Sequence, residues 1–176
     1  MAYQQPAPQI QGWMGPQALS WLYEKSREML SIVEVGSWKG RSTHALLSGC
    51  KGPVFSVDHF KGNPEEMDTA HKEAKEHDIF PIFWENVGHF KNLVAMRMES
   101  VEAGRFFAPH SVDMIFIDGS HTKDAVLVDL ITWTPKCRKL LCGHDIGYHS
   151  VSGALESLGL NYKSENGNLW SLDVKT

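Results

Sequence analysis

The chain has 176 residues, 42% of them apolar and 22% charged, with a formal net charge of -4. That length suits a single core, and an acidic balance without a Lys/Arg cluster counts against nucleic acid or an anionic membrane as partner. Cys50, Cys137 and Cys142 form no CxxC pair and cannot all be bridged, and the polar start "MAYQQPAPQIQGW" has no apolar signal core; both point to a reduced, cytoplasmic protein without a membrane span.

Short apolar runs then alternate with amphipathic segments. Residues 16–30 carry Ala18, Leu19, Leu22 and Met29 at helical spacing. "SIVEV" (31–35) is a β-branched strand ending at Gly36. "STHALLSGC" (42–50) is a short helix with Ser42 or Thr43 as N-cap. "PVFSVD" (53–58) is the second strand. "NPEEMDTAHKEAKEHD" (63–78) reads as a helix opened by Pro64, Glu65 and Glu66. Residues 82–90 are helix or loop, and "NLVAMRM" (92–98) is the third strand. "VDMIFID" (112–118) is the fourth and clearest. "TKDAVLVDLITW" (122–133) is a helix expected to bury Val126, Leu127, Leu130 and Ile131. "KLLCGHD" (139–145) is the fifth strand, and "SVSGALESLG" (150–159) a helix stopped by Gly159. "NYKSENGNLWSLDV" (161–174) places an NGN turn between two strand-like runs, a terminal antiparallel pair.

Alternating β and α, with strands apolar on both faces, gives an α/β fold: a doubly wound, mostly parallel, Rossmann-like sheet of seven strands. One domain is expected over 1–176: a first segment and helix (1–30), a core (31–159) and the strand pair (160–176). Ligands in such sheets bind beyond the carboxyl ends of the strands. That rule selects residues 34–40, 58–59, 99–100, 118–121 and 143–145, all along one edge.

The turn "IVEVGSWKGRST" (32–43) names a cofactor class by elimination. Only three residues separate Gly36 from Gly40, and Arg41 follows, so the spacing and the lysine of a P-loop are both missing. Trp38 fills the place where a dinucleotide fingerprint needs a glycine for its pyrophosphate, and no further glycine follows three residues after Gly40, where position 43 is Thr. S-adenosylmethionine (SAM) has no phosphate to crowd. Glu34 can meet its ammonium, and Asp58, at the next strand end, can accept both ribose hydroxyls. The bland alternative is a tight strand–helix turn with Asp58 as its cap.

"FIDGSH" and "CGHD" end the fourth and fifth strands and bring Asp118, His121, His144 and Asp145 to that edge. Two carboxylates with a histidine can hold a hard divalent ion, and His121 is placed to take a hydroxyl proton. His71, His77, His44 and His110 read as surface or structural residues, and Trp13, Trp21, Trp84, Trp133 and Trp170 as core or interface. His59 and His149 stand near the edge as substrate contacts.

At "GWM" (12–14), "IVEVGSWKGRST", "SVDHF", "MES" and above all "VDMIFIDGSHTKDAVLVDLITW…LLCGHD" the chain resembles the class I SAM-dependent methyltransferases. It is most similar to the small-molecule and sugar O-methyltransferases of the macrocin and rhamnosyl type, over residues 11–159. The resemblance implies that Glu34 and the turn residues Gly36, Ser37, Trp38, Gly40 and Ser42 hold the methionine end of SAM. It places Asp58, with His59, at the ribose, Glu99 and Ser100 at the adenine, and Asp118 beside the cofactor. In metal-using relatives, the places of Asp118, His144 and Asp145 hold Mg²⁺ or another divalent cation, and that of His121 holds the base.

The expected activity is O-methylation of a small hydroxylated acceptor such as a sugar. No substrate-binding insertion is visible. The acceptor wall must then come from the first segment, from loops 60–63 and 146–150, or from a second copy in a homo-oligomer. The rival is a SAM-fold binding or assembly module without turnover. A third option is a metal site for other chemistry, such as hydrolysis.

Overall fold

A computed structural model describes residues 3–5, 9–63, 65 and 69–174. Seven strands form one sheet in the order β3-β2-β1-β4-β5-β7-β6. They are β1 (Ile32–Val35), β2 (Val54–Asp58), β3 (Leu93–Arg97), β4 (Val112–Ile117), β5 (Cys137–Gly143), β6 (Lys163–Glu165) and β7 (Leu169–Asp173). β1 pairs in parallel with β2 and β4, β2 with β3, and β4 with β5. β7 then runs antiparallel to both β5 and β6. The expected architecture, strand count and antiparallel ending are all present.

The helices are α1 (Pro16–Ser26), α2 (Arg41–Gly49), α3 (Thr69–Glu76), α4 (Phe80–Val87), α5 (Ser100–Gly104), α6 (Lys123–Trp133) and α7 (His149–Ser157). Two apolar layers flank the sheet. Leu19, Leu22, Leu46 and Phe83 pack on one face. Val126, Leu130, Trp133 and Leu155 pack on the other. All of β1 and β4 is buried, as a strand covered on both faces must be. No described helix is long and apolar enough to cross a membrane. Cys50, Cys137 and Cys142 are all free and buried.

Several local expectations change. α1 ends at Ser26, not residue 30, because the buried Asp113 carboxylate takes the Leu30 N–H at 2.9 Å and draws that segment toward β4. Arg138 and Lys139 close the same carboxylate from outside. The N-cap of α2 is Gly40, in the left-handed region, because the Ser42 and Thr43 hydroxyls are committed elsewhere. Residues 82–90 resolve into most of α4 and the turn after it. Of the helix expected over 63–78, Thr69–Glu76 is helical; Pro64 and Glu66 lie outside the described residues. On α6 the inward stripe is Val126, Asp129, Leu130 and Trp133, which leaves Ile131 61% exposed. Asp129 takes an inward place because it has a polar partner there.

Candidate active site

A cavity of about 520 Å³ opens at the carboxyl ends of the parallel strands. The Gly36, Ser37, Trp38 and Ser42 segment lines one part of it. Asp58, His59, Glu99 and Ser100 line another, and Asp118, His121, His144 and Asp145 a third. Of the residues expected at the site, Glu34, Gly40 and His149 stand outside this lining.

Gly36 makes the turn possible. It has φ +88, and its α-carbon lies so near the end of β4 that a Cβ would sit 2.1 Å from the Asp118 carbonyl oxygen. Trp38 follows with φ 50, a left-handed conformation that is costly for a bulky side chain. What holds it is Asp58, whose Oδ2 accepts the N–H groups of Ser37 (2.9 Å) and Trp38 (2.8 Å). Its Oδ1 accepts Phe60 N–H at 2.6 Å. Asp58 therefore caps the turn as well as lining the cavity.

Glu34 has a bracing place in the fold. It is fully buried, and its carboxylate accepts hydroxyls from Ser42 (2.5 Å), Thr43 (2.5 Å) and Ser56 (2.8 Å). Burial pushes its pKa up, and these hydroxyls partly oppose that. It ties α2 and β2 to β1 and is not among the residues that line the cavity. Ser42 lines the cavity with its hydroxyl already donated to Glu34.

The ends of β4 and β5 carry the ionisable cluster. His121 Nε2 lies 2.7 Å from Asp145 Oδ2. His144 Nδ1 lies 3.1 Å from that same oxygen and 3.7 Å from Asp118 Oδ1. Burial pushes Asp118 up to about 7. Burial would also raise Asp145, but hydrogen bonds from His121 and His144 outweigh it and hold that carboxyl well below the usual range. Burial works against a charge on His144, yet the bond to Asp145 and the field of Asp118 raise its pKa on balance. The two acids are thus driven apart: burial favours a proton on Asp118, and the histidine contacts favour the anion on Asp145. Asp145 adopts φ 59 and is braced by Asn168, whose Nδ2 donates to its Oδ1 at 3.0 Å. The β6–β7 turn supplies that brace, and also the Gly167 carbonyl 3.2 Å from His144 Nε2.

One set of possible metal ligands occurs among the described residues: Asp118, His121 and Asp145, with ligand atoms within 4.8 Å of one another. His144 was expected in this set. His121 stands in the set in its place, while His144 keeps Nδ1 3.1 Å from Asp145 and 3.7 Å from Asp118.

Sequence reasoning missed the roof. Trp13, read as core or interface, is 56% exposed and lines the cavity. His71, read as a surface residue, stacks on it with ring centroids 5.0 Å apart and 19° between planes. Trp38 lies 5.3 Å from Trp13 and 5.1 Å from His71. Below them Lys39 buries its ammonium, 2.7 Å from both Gln11 Oε1 and Glu73 Oε2, with its side chain 4% exposed. Arg41 donates to the carbonyls of Met14 and Ile10, fixing the segment that carries Trp13. Phenylalanine and tyrosine contacts elsewhere are ordinary packing, but Tyr148, half exposed, faces His121 at 5.2 Å.

Residues 33–146 match the family described as a methyltransferase domain. The chain belongs to that family. The match contains the Gly36 turn, Asp58 and the whole Asp118–His121–Asp145 cluster, so the cavity is this methyltransferase-domain protein's candidate site. Solved structures share the fold at low identity. A Staphylococcus aureus protein described as a candidate caffeoyl-CoA O-methyltransferase is 16% identical, over 90% of this chain and 82% of that one, with a TM-score of 0.62. The SAH-bound methyltransferase PaMTH1 of Podospora anserina is 13% identical, over 90% and 78%, with a TM-score of 0.63. Cofactor-bound Rv0187 from MTB is 14% identical, over 97% and 83%, with a TM-score of 0.63. No curated protein matches the chain in sequence.

Proposed function

We propose that this methyltransferase-domain protein transfers the methyl group of SAM to a hydroxyl of a small acceptor such as a sugar, and that residues 1–176 act as one domain. The observation that carries this is the hydrogen-bonded Asp145–His121 pair, set beside Asp118 in the cavity that the Gly36 turn also lines. SAM would lay its methionine end along Gly36, Ser37, Trp38 and Ser42, near Asp118. Its ribose would meet Asp58 and His59, and its adenine would lie toward Glu99 and Ser100. SAH in PaMTH1 supports that choice of cofactor.

His121 Nε2 lies 2.7 Å from Asp145 Oδ2, which orients the ring and favours a proton on it. SAM would supply the methyl group, its C–S electron pair staying with sulfur as the acceptor oxygen takes the carbon, and His121 would receive the hydroxyl proton. Asp145 stabilises the resulting imidazolium. Most of the acceleration would come from holding oxygen and methyl in line.

A divalent ion fits the donor set of Asp118, His121 and Asp145, and would lower the pKa of a bound hydroxyl. It would occupy the ring that the base role needs, so ligand and base are alternative duties for His121.

Calorimetry with SAH, followed by transfer from labelled SAM to a panel of hydroxylated acceptors, tests the proposal. SAH should bind, and His121→Ala should cut turnover about 10²–10⁴-fold while SAH affinity holds. Turnover that survives chelator assigns His121 as base, and turnover restored by Mg²⁺ or Mn²⁺ assigns it as ligand. No SAH binding would sink the proposal. SAH binding without transfer to any acceptor would leave the non-catalytic module.

A further inference from the structure

Asp129 is a buried acid in the cavity that this chemistry does not use. It sits on α6, 7% exposed, and lines the cavity. Its Oδ1 accepts the Ser100 hydroxyl at 2.5 Å, and Ser100 Oγ in turn accepts the Trp133 indole N–H at 2.8 Å. Trp133 is fully buried, so this relay is fixed by packing. Oδ2 takes no hydrogen bond from the described residues.

Glu34 is the useful contrast. It braces two elements, accepts three hydroxyls and stays out of the cavity. An acid that only ties α5 to α6 would be saturated in the same way. Asp129 accepts one hydroxyl and keeps its second oxygen beside the cavity. Its desolvation shows in a pKa pushed up to about 6, against which the Ser100 bond is insufficient. Met98, Val101, Ala125 and Val128 line the cavity from the same helices and the adjacent strand end. Apolar walls with one fixed acceptor suit a flat heterocycle that carries an N–H donor. Adenine is the one part of SAM with that chemistry; ribose is all hydroxyls and the methionine end is charged. The Ser100 hydroxyl, spent between Asp129 and Trp133, acts on the base only through Asp129.

Resting on SAM as the cofactor, we propose that Asp129 Oδ2 accepts a hydrogen from the exocyclic amine of adenine and sets the base specificity of the site, with Ser100 and Trp133 as positioning residues. A buried acceptor left without its donor penalises the ligand that lacks it.

The test is calorimetry of the full chain with three ligands: SAH, its 6-deamino purine analogue, and its hypoxanthine analogue. Wild type should bind SAH about 10–100-fold tighter than the deamino analogue, and tighter still than the hypoxanthine analogue, whose carbonyl would face a carboxylate. Asp129→Ala should bring SAH and the deamino analogue within about threefold of each other. Asp129→Asn, whose amide can donate to a carbonyl, should shift preference toward the hypoxanthine analogue, a change that a purely bracing role would not produce. Wild-type ratios retained in both variants, each with an intact thermal transition, would overturn the assignment. So would a wild type that binds all three ligands equally. Failure of wild type to bind any of them would instead defeat SAM as the cofactor, and this proposal with it.

Discussion

Replacing Gly36 with alanine separates a turn that is merely tight from one packed against the reacting strand. The new Cβ would lie 2.1 Å from the Asp118 carbonyl oxygen, 2.5 Å from its carbonyl carbon and 2.8 Å from Gly119 Cα. All three are main-chain atoms at the end of β4, which β1 already pairs in register, so no rotamer change relieves the clash. The Asp118 peptide must retreat by about 1 Å or more to restore ordinary contact. A left-handed φ costs alanine about 1–2 kcal/mol, and forced main-chain displacement adds about 1–3 kcal/mol. The total is about 2–5 kcal/mol.

Gly40 is the control. Its φ is similar at +93, but a Cβ there meets Val87 methyl groups at 3.1 and 3.3 Å, and these can turn away. Gly40→Ala should cost about 1–2 kcal/mol. Each kcal/mol moves Tm by about 2–4 °C in a chain of this size. At about 3 °C per kcal/mol, Gly36→Ala should therefore melt about 6–15 °C below wild type, and Gly40→Ala about 3–6 °C below. Thermal unfolding followed by circular dichroism reads both. A shift of Asp118 by about 1 Å should also cut turnover about 10²-fold at temperatures where the variant is folded. Equal melting losses in the two variants, with Gly36→Ala turnover intact, would refute the close packing of turn and strand.

Trp13→Ala should leave Tm within about 1–2 °C of wild type, since an exposed ring contributes little to the core. It should reduce the tryptophan fluorescence change on SAH binding, with Trp38 keeping the remainder, and an unchanged signal would place the ligand away from Trp13. Asp129 binds its proton more tightly folded, at about 6, than unfolded, near 3.8. Its contribution to stability is complete below that lower value and is lost as pH rises toward the upper one, by on the order of 2–3 kcal/mol. Urea midpoints of Asp129→Asn should lack that decline, whereas parallel pH curves for variant and wild type would contradict it. Asn168→Ala removes the donor to Asp145 and the acceptor for Gly147 N–H. Turnover should fall about tenfold or more, with a stability loss near 1 kcal/mol. A melting loss with normal turnover would show that the brace is only structural.

The strand-end rule made much of this site legible. Asp118, His121 and Asp145 meet because β4 and β5 are neighbours, and apolar runs in the sequence mark where those strands stop. Glu34 escaped the rule because a strand covered on both faces gives no alternation to show which way a polar residue points; this one points at Ser42 and Thr43 on α2. Asp129 lies two turns into a helix, where a carboxylate reads as surface until the Ser100 hydroxyl opposite is seen. Trp13 and His71 come from segments far apart in sequence that meet only by stacking, which no local pattern records. Thr122 shows the opposite case: its side chain accepts the Ala125 N–H and starts α6 within one residue of the expected place.

Lys39 has a consequence for how a ligand gets in. Its ammonium holds Gln11, beside Trp13, and Glu73, on the helix that carries His71. Both halves of the roof hang from one charge, so neither can swing away without leaving that charge short of a partner in a buried place. Entry should then be a concerted gate with one rate constant. Stopped-flow fluorescence should give a single exponential whose rate saturates with SAH, and two resolved phases would show the halves moving separately. With its ammonium end buried, the tie should also feel added salt less than a fully exposed pair does.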